Sequence, residues 1–259
     1  MEIVFLGTGT SQGVPMIGCE CDVCLSKDSR NRRTRSSIHV VMDGFHIQVD
    51  AAPEFREQCL RSEIPQVDLF ILTHGHADHI LGMDDLRRYC DIRKGEAIPV
   101  LSTEEGIRRL NAVYPYAIGS KPLRRGYPAF DVKEMPEFLE TEGGTIRSTI
   151  LPHGPTQVLG LIFEERSSGK KMVYYTDCKE VGDEQRSLAK GADLVILDGL
   201  REESHPTHMS IEEACETALA IGSAQNFLIH MTHTVDHMAM ERELPATVKL
   251  SYDGLRVCL

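Results

Sequence analysis

The chain is short of positive charge: 28 Lys and Arg stand against 39 Asp and Glu, a formal net charge of -11 at pH 7. Sequence-independent affinity for a phosphate backbone needs a basic surface that releases counterions, so a general nucleic-acid binder is excluded and no stable nucleic-acid partner is expected. There is no apolar run long enough to span a bilayer, so no membrane association is expected either. The opening Met1-Glu2-Ile3-Val4-Phe5-Leu6 passes straight into a glycine-rich turn, without a basic n-region, a long apolar stretch or a small-residue cleavage site. A cytoplasmic protein is expected from that pattern. Linkers, sequence repeats and low-complexity tracts are also missing, and 259 residues read as a single domain, 1-259.

What is present is an alternation of short β-rich runs with amphipathic stretches, the pattern of an α/β architecture with helices covering sheet faces. Strands are predicted at Ile3–Leu6, Ile38–Val41, His46–Val49, Leu69–Leu72, Val100–Ser102, Ile146–Leu151, Leu159–Phe163, Met172–Tyr175, Leu194–Leu197 and Phe227–Ile229. The clearest helices are Phe55–Ser62, Glu104–Val113, Glu184–Lys190 and Ile211–Ile221, the last opened by the capping box Ser210/Glu213. Tyr114 to Pro136 is rich in Pro, Gly and aromatic residues and reads as a long loop that could border a pocket. The strand-and-helix rhythm of the first half broadly recurs in the second, so two similar layered halves are expected.

Eight cysteines in a reducing compartment are expected to be free or on metal. Cys59, Cys90, Cys178, Cys215 and Cys258 are scattered and read as small semi-buried apolar residues. Cys19, Cys21 and Cys24 differ: Cys-x-Cys-x-x-Cys offers three thiolates to one soft ion, lacking only a local fourth ligand. The denser signal follows the buried-strand pattern Leu69-Phe70-Ile71-Leu72, where Thr73-His74-Gly75-His76-Ala77-Asp78-His79 packs four candidate ligands into six residues. Neutral imidazoles and carboxylates suit zinc, manganese, iron and similar ions, and the density exceeds what one tetrahedral ion would draw from so short a loop. Two metals are implied.

His-x-His-x-Asp-His after a buried strand resembles the signature of the metallo-β-lactamase-fold hydrolases, whose fold is a four-layer αββα sandwich. The resemblance implies three later ligands, each just past a strand, and His153, Asp177 and His230 stand at such places. Carried over, His74, His76 and His153 would hold one metal, Asp78, His79 and His230 the other, and Asp177 would bridge. The cysteine motif, with His233 as fourth ligand, is similar to the cyclic-phosphate phosphodiesterases of bacterial phosphonate breakdown, in which a structural zinc lies beside the dimetal centre. The resemblance runs from Phe5-Leu6-Gly7-Thr8-Gly9-Thr10 to Tyr252-Asp253-Gly254-Leu255 and by itself implies a homodimer. It also places a catalytic His at His208, 22 residues before His230.

The chemistry so implied is hydrolysis of a small phosphodiester, with cyclic ribosyl and nucleotide phosphodiesters both admissible, by a hydroxide bridging two divalent ions, whether Zn, Mn, Fe or Ni. Asp78 and Asp177 would orient the hydroxide and His208 would protonate the departing alkoxide. A lactonase or thioesterase of the same fold, or a non-catalytic metal-binding scaffold, are the competing expectations. Oxygen-reducing diiron relatives usually carry Glu where His76 stands. The remaining histidines, His39, His46, His205 and His237, read as strand, loop or helix-surface residues. Arg30, Arg32, Arg33 and Arg35 read as a solvated run, Gly7 to Gly13 as a tight turn.

Overall fold

A computed structural model describes residues 1–259. Strands β1 (Glu2–Gly7), β2 (Ser37–Met42), β3 (Phe45–Val49), β4 (Leu69–Ile71), β5 (Ile98–Ser102) and β6 (Phe130–Glu134) build the first sheet. Strands β7 (Phe138–Glu140), β8 (Gly144–His153), β9 (Thr156–Glu165), β10 (Lys171–Tyr175), β11 (Leu194–Asp198), β12 (Gln225–Ile229) and β13 (Val248–Leu250) build the second, and β14 (Arg256–Cys258) returns to the edge of the first. The orders are β14-β1-β2-β3-β4-β5-β6 and β13-β12-β11-β10-β9-β8-β7, two seven-stranded sheets built alike. Helices α1 (Asp22–Leu25), α2 (Phe55–Arg61), α3 (Ala77–Ile80), α4 (Arg87–Ile92), α5 (Glu104–Val113), α6 (Asp183–Ala189), α7 (Ile211–Ile221) and α8 (His237–Met240) complete the chain.

Three cores separate four layers. Between the sheets lie Phe5, Ile38, Val40, Leu161, Phe163, Tyr174, Ile196 and Phe227. Phe55, Tyr89 and Leu110 pack α2, α4 and α5 with Phe70 on the outer face of the first sheet, and Val173, Val195, Ala214 and Ala218 pack α7 on the second. Central strands are therefore apolar on both faces, which is why Leu194–Asp198 shows no alternation in its burial. Helix α7 starts at Ser210, whose side chain accepts from Glu213 N–H while Glu213 accepts from Ser210 N–H, and it stops at Gly222 in the left-handed region (φ 79°). No helix is long and apolar enough to cross a membrane.

The ten predicted strands and four predicted helices are present, with ends shifted by at most three residues. The segment read as loop to Pro136 contains β6, an edge strand whose Phe130–Glu134 pairs in parallel with Ile98–Ser102. Gly7 to Gly13 does turn tightly, with Gly13 at φ 66° and its N–H bonded to Thr10 O. Arg33 corrects the expected solvated run: it is buried, with Nη1 donating to Thr232 O (3.1 Å) and Nη2 to Asn31 Oδ1 (3.1 Å). Arg30 and Arg35 instead pair with Asp28 and Glu54.

His39 is also buried, between Gln48 Oε1 (3.1 Å) and His46 Nδ1 (2.9 Å). Burial pushes its imidazole down to about 3, despite the Gln48 hydrogen bond. Protons then bind preferentially to the unfolded chain below the ordinary histidine value, so this stabilisation is intact above it and drains as the pH falls towards 3. Stability of a His39→Gln variant is expected to fall less than that of the parent between about pH 7 and pH 5, measured by denaturant unfolding. Equal losses would refute it.

Candidate metal centre

Parallel strands from both sheets end at one place, and the ends carry the chemistry. In one sheet β3 and β4 run in parallel, in the other β10, β11 and β12, and β8 points the same way as β10 through two antiparallel pairings. Past their carboxyl ends come Asp50, His74, Asp177 and His230, with His153 closing β8 and Asp198 closing β11, the placement typical of ligand sites in such sheets. Asp50, Asp177 and His230 adopt left-handed backbone conformations (φ 59°, 52° and 66°). Such strain at non-glycine residues survives only where surrounding contacts hold it, and here it turns each side chain inwards. Gly75 bends the loop between His74 and His76 so closely under Arg109 that a Cβ would stand 2.7 Å from Arg109 Cβ.

Two ligand-like groups result. The side chains of His74, His76 and His153 converge, and so do those of Asp78, His79, Asp177 and His230. Asp177 lies between them: Oδ2 is 3.0 Å from His79 Nε2 and 3.8 Å from His74 Nε2, and Oδ1 is 3.3 Å from His230 Nε2. Asp78 Oδ2 stands 3.3 Å from His79 Nε2 and 3.7 Å from His230 Nε2.

The hydrogen bonds around the groups set which nitrogens face inwards. His79 Nδ1 donates to Asp50 Oδ2 (2.7 Å), and His153 Nδ1 donates to Thr207 O (3.0 Å). Thr73 gives its hydroxyl proton to Asp50 Oδ2 (2.8 Å) and so accepts from His74 Nδ1 (3.1 Å). Each of the three imidazoles thus keeps an Nε2 lone pair for the centre, the tautomer a metal ligand needs. His79 Nε2 and both nitrogens of His230 are buried without a hydrogen-bond partner. Orphaned atoms of this kind are rare in a folded interior and fit divalent cations placed among them.

The electrostatics fit the same occupant. Burial opposes charge on His79 and His230, yet Asp177, with Asp78, outweighs it and holds His79 well above its ordinary value and His230 at about 9. Asp177 and Asp78 are held well below the carboxylate range against burial, chiefly by His230 and His79. A site without enough carboxylate would not hold protons so firmly, and a dication satisfies the same excess of negative charge.

His208 faces this cluster. Its ring centroid is 4.7 Å from that of His153 and stacks on His230 at 4.8 Å with 13° between planes. Nδ1 donates to Asp198 Oδ2 (2.7 Å), which also accepts from Cys178 N–H (3.0 Å). Burial raises the Asp198 carboxyl, with His208 opposing.

A few residues away the third expected group forms. Cys19 Sγ and Cys21 Sγ lie 3.3 and 3.4 Å from His233 Nδ1, and Cys24 completes the set. The Cys24 backbone N–H and His233 draw the Cys21 thiol down to about 6, while burial pushes Cys24 up to about 11. None of the eight cysteines is in a disulfide.

Every residue named from the sequence as a ligand therefore sits in one of these three clusters. Asp50 and Asp198 were not foreseen; the only available signal was an acid directly after a predicted strand, the feature that had picked out Asp177. Asp50 is fully buried and receives Thr73 N–H (2.8 Å) besides the two bonds above. Asp50→Asn is expected to weaken metal binding at the histidine cluster by about 10- to 100-fold, the usual cost of losing an outer partner of a ligating imidazole. Metal titration of the stripped protein checks it, and unaltered affinity would deny Asp50 that role.

Clefts open on two sides. One of about 450 Å³ reaches His76 past Arg108, Arg109 and Thr156; another of about 250 Å³ runs from His208 to His233. A larger cavity of about 670 Å³ shares no residue with the clusters and is lined by five glutamates, a poor seat for an anion.

Residues 46–231 match the Beta-lactamase superfamily domain. The chain belongs to the metallo-β-lactamase superfamily and has its fold. The crystal structure of a new diphosphatase from the PhnP family superposes with a TM-score of 0.90 at 33% identity, covering 100% of this chain and 97% of that one. A Porphyromonas gingivalis (strain ATCC BAA-308 / W83) protein named octanoyltransferase is 35% identical over 270 residues, 100% of this chain and 52% of its own length. This chain thus spans about half of that relative. Coenzyme PQQ synthesis protein B of Methylobacterium sp. (strain 4-46) is 24% identical over 220 residues, 77% of this chain and 73% of its own length.

Proposed function

We propose that the chain is a phosphodiesterase acting on a small phosphate ester or phosphoanhydride, with two divalent ions in the histidine cluster and one structural zinc on Cys19, Cys21, Cys24 and His233. His74, His76 and His153 would hold one ion, Asp78, His79 and His230 the other, and Asp177 both. The observation that carries the reading is the His208–Asp198 pair set against this cluster: His208 Nδ1 is committed to Asp198, and Nε2 is free to pass a proton towards the centre. Likeness to the PhnP-family diphosphatase supports phosphorus as the centre attacked.

Two bound dications would lower the pKa of a water between them and neutralise charge growing on the phosphoryl oxygens. Asp78 and Asp177 would help orient the attacking water and would balance the cationic charge. His208, its ring oriented by the bond from Nδ1 to buried Asp198, would donate from Nε2 to the departing oxygen. Asp50 fixes the ring of His79 through Nδ1. No serine or cysteine nucleophile is needed.

A metal-loaded preparation would be assayed on bis(p-nitrophenyl) phosphate, cyclic ribosyl phosphates, a nucleoside diphosphate sugar, a lactone and an octanoyl thioester. Turnover of a phosphorus substrate, abolished by chelation and restored by metal, is expected. Turnover of the lactone or thioester alone would replace this reading with its carbon-centred alternative.

A further inference from the structure

The cleft on the His208 side differs from the surface of this acidic chain. No Asp or Glu lines it; Arg201, three histidines, four Ser or Thr residues and Gln12 do. Its size is too small for a polymer and suits a phosphorylated sugar or a single phosphoryl group with its ester.

Two of its side chains carry donors with no other employment. Thr207 N–H donates to His205 Nδ1 (3.3 Å), so neutral His205 bears its hydrogen on Nε2. Arg201 bonds only through Nε, to Glu203 O (3.4 Å), with Glu203 Oε2 3.7 Å away, and its two Nη groups make no hydrogen bond within the chain. The backbone of Arg201 is held, because its carbonyl accepts from Ile211 N–H (2.8 Å) at the start of α7. His205 and His208 have ring centroids 5.2 Å apart, so the donor wall begins next to the proposed proton donor. A guanidinium with two free Nη groups and a neighbouring N–H donor, in a cleft whose lining holds no carboxylate, is matched to phosphoryl oxygens.

We propose that Arg201, assisted by His205, is the specificity residue of this site: it seats a second anionic phosphoryl group on the leaving side of the scissile phosphorus. Substrates carrying that group, phosphoanhydrides above all, are then preferred over diesters with uncharged leaving groups. The inference rests on the phosphodiesterase reading for its catalytic consequence. The anion site itself does not.

Two measurements separate them. With metal-loaded enzyme, the ratio of kcat/KM for ADP-ribose to that for bis(p-nitrophenyl) phosphate is expected to drop about 10- to 100-fold in Arg201→Ala, the worth of a charge-assisted pair. Arg201→Lys should recover part of the loss, and both variants should keep the parent's metal content. Independently, inorganic pyrophosphate binding, by calorimetry, should weaken by a similar factor. An unchanged ratio with unchanged pyrophosphate affinity overturns the Arg201 assignment while leaving the phosphodiesterase intact. Arg201-dependent pyrophosphate binding by a protein that cleaves no phosphorus substrate upholds the anion site and removes the catalytic reading.

Discussion

Asp177→Asn is expected to lower phosphodiester turnover by about a thousandfold, the scale of removing a preorganised charge from an active site, and to strip at least one metal from the histidine cluster. Both carboxylate oxygens are in use: Oδ2 faces His79 and His74, and Oδ1 faces His230. An amide keeps one oxygen and turns an NH2 group on the other side, where a ligand to a cation would have to be. It also deletes a negative charge that now holds His79 and His230 above their ordinary values. Metal content and kcat measured on the same preparation check it. A variant with full metal and near-parental turnover would remove Asp177 from its bridging place.

His208→Ala should leave the metals in position and still lower kcat by roughly 100- to 10,000-fold on esters of aliphatic alcohols, the usual range for a lost general acid. The reason is that the ligands are oriented by other groups: His153 is held by the Thr207 carbonyl, and His79 by Asp50. The loss should be much smaller on bis(p-nitrophenyl) phosphate, whose leaving group is stable as an anion and gains little from a proton. Asp198→Asn, which leaves the ring in place but removes the charge behind Nδ1, should fall between the two. Equal losses on both substrates would assign His208 to structure and not to proton transfer.

The metal ligands were legible because each is a histidine, aspartate or cysteine in a spaced motif or directly past a buried strand, so residue type and position said the same thing. Asp50 and Asp198 carried only the second half of that message. A lone aspartate after Val49 or Leu197 looks like any loop residue until the fold brings it to His79 or His208. Arg33 was misleading for a related reason. Its neighbours Arg30 and Arg35 do form surface pairs, and only the meeting of Val14 with Arg33 across the chain buries the guanidinium beside Thr232.

The central strands declared themselves by apolar runs, whereas the edges did not. Phe130–Glu134 carries three charged residues in five, and β7, β13 and β14 are three residues each. Such segments become strands through their neighbours' open backbone groups, which local sequence cannot express. Short, charged edges also guard the sheets against pairing with other chains.

The most direct test of the account is the number of metal ions per chain in protein purified with its native metals, compared with Asp177→Asn and Cys21→Ser. About three ions are predicted for the parent, about one fewer in Cys21→Ser, and at least one fewer in Asp177→Asn together with lost phosphodiester turnover. A single ion per chain that disappears with Cys21 and leaves a protein without turnover would contradict the account, reducing the histidine cluster to a scaffold.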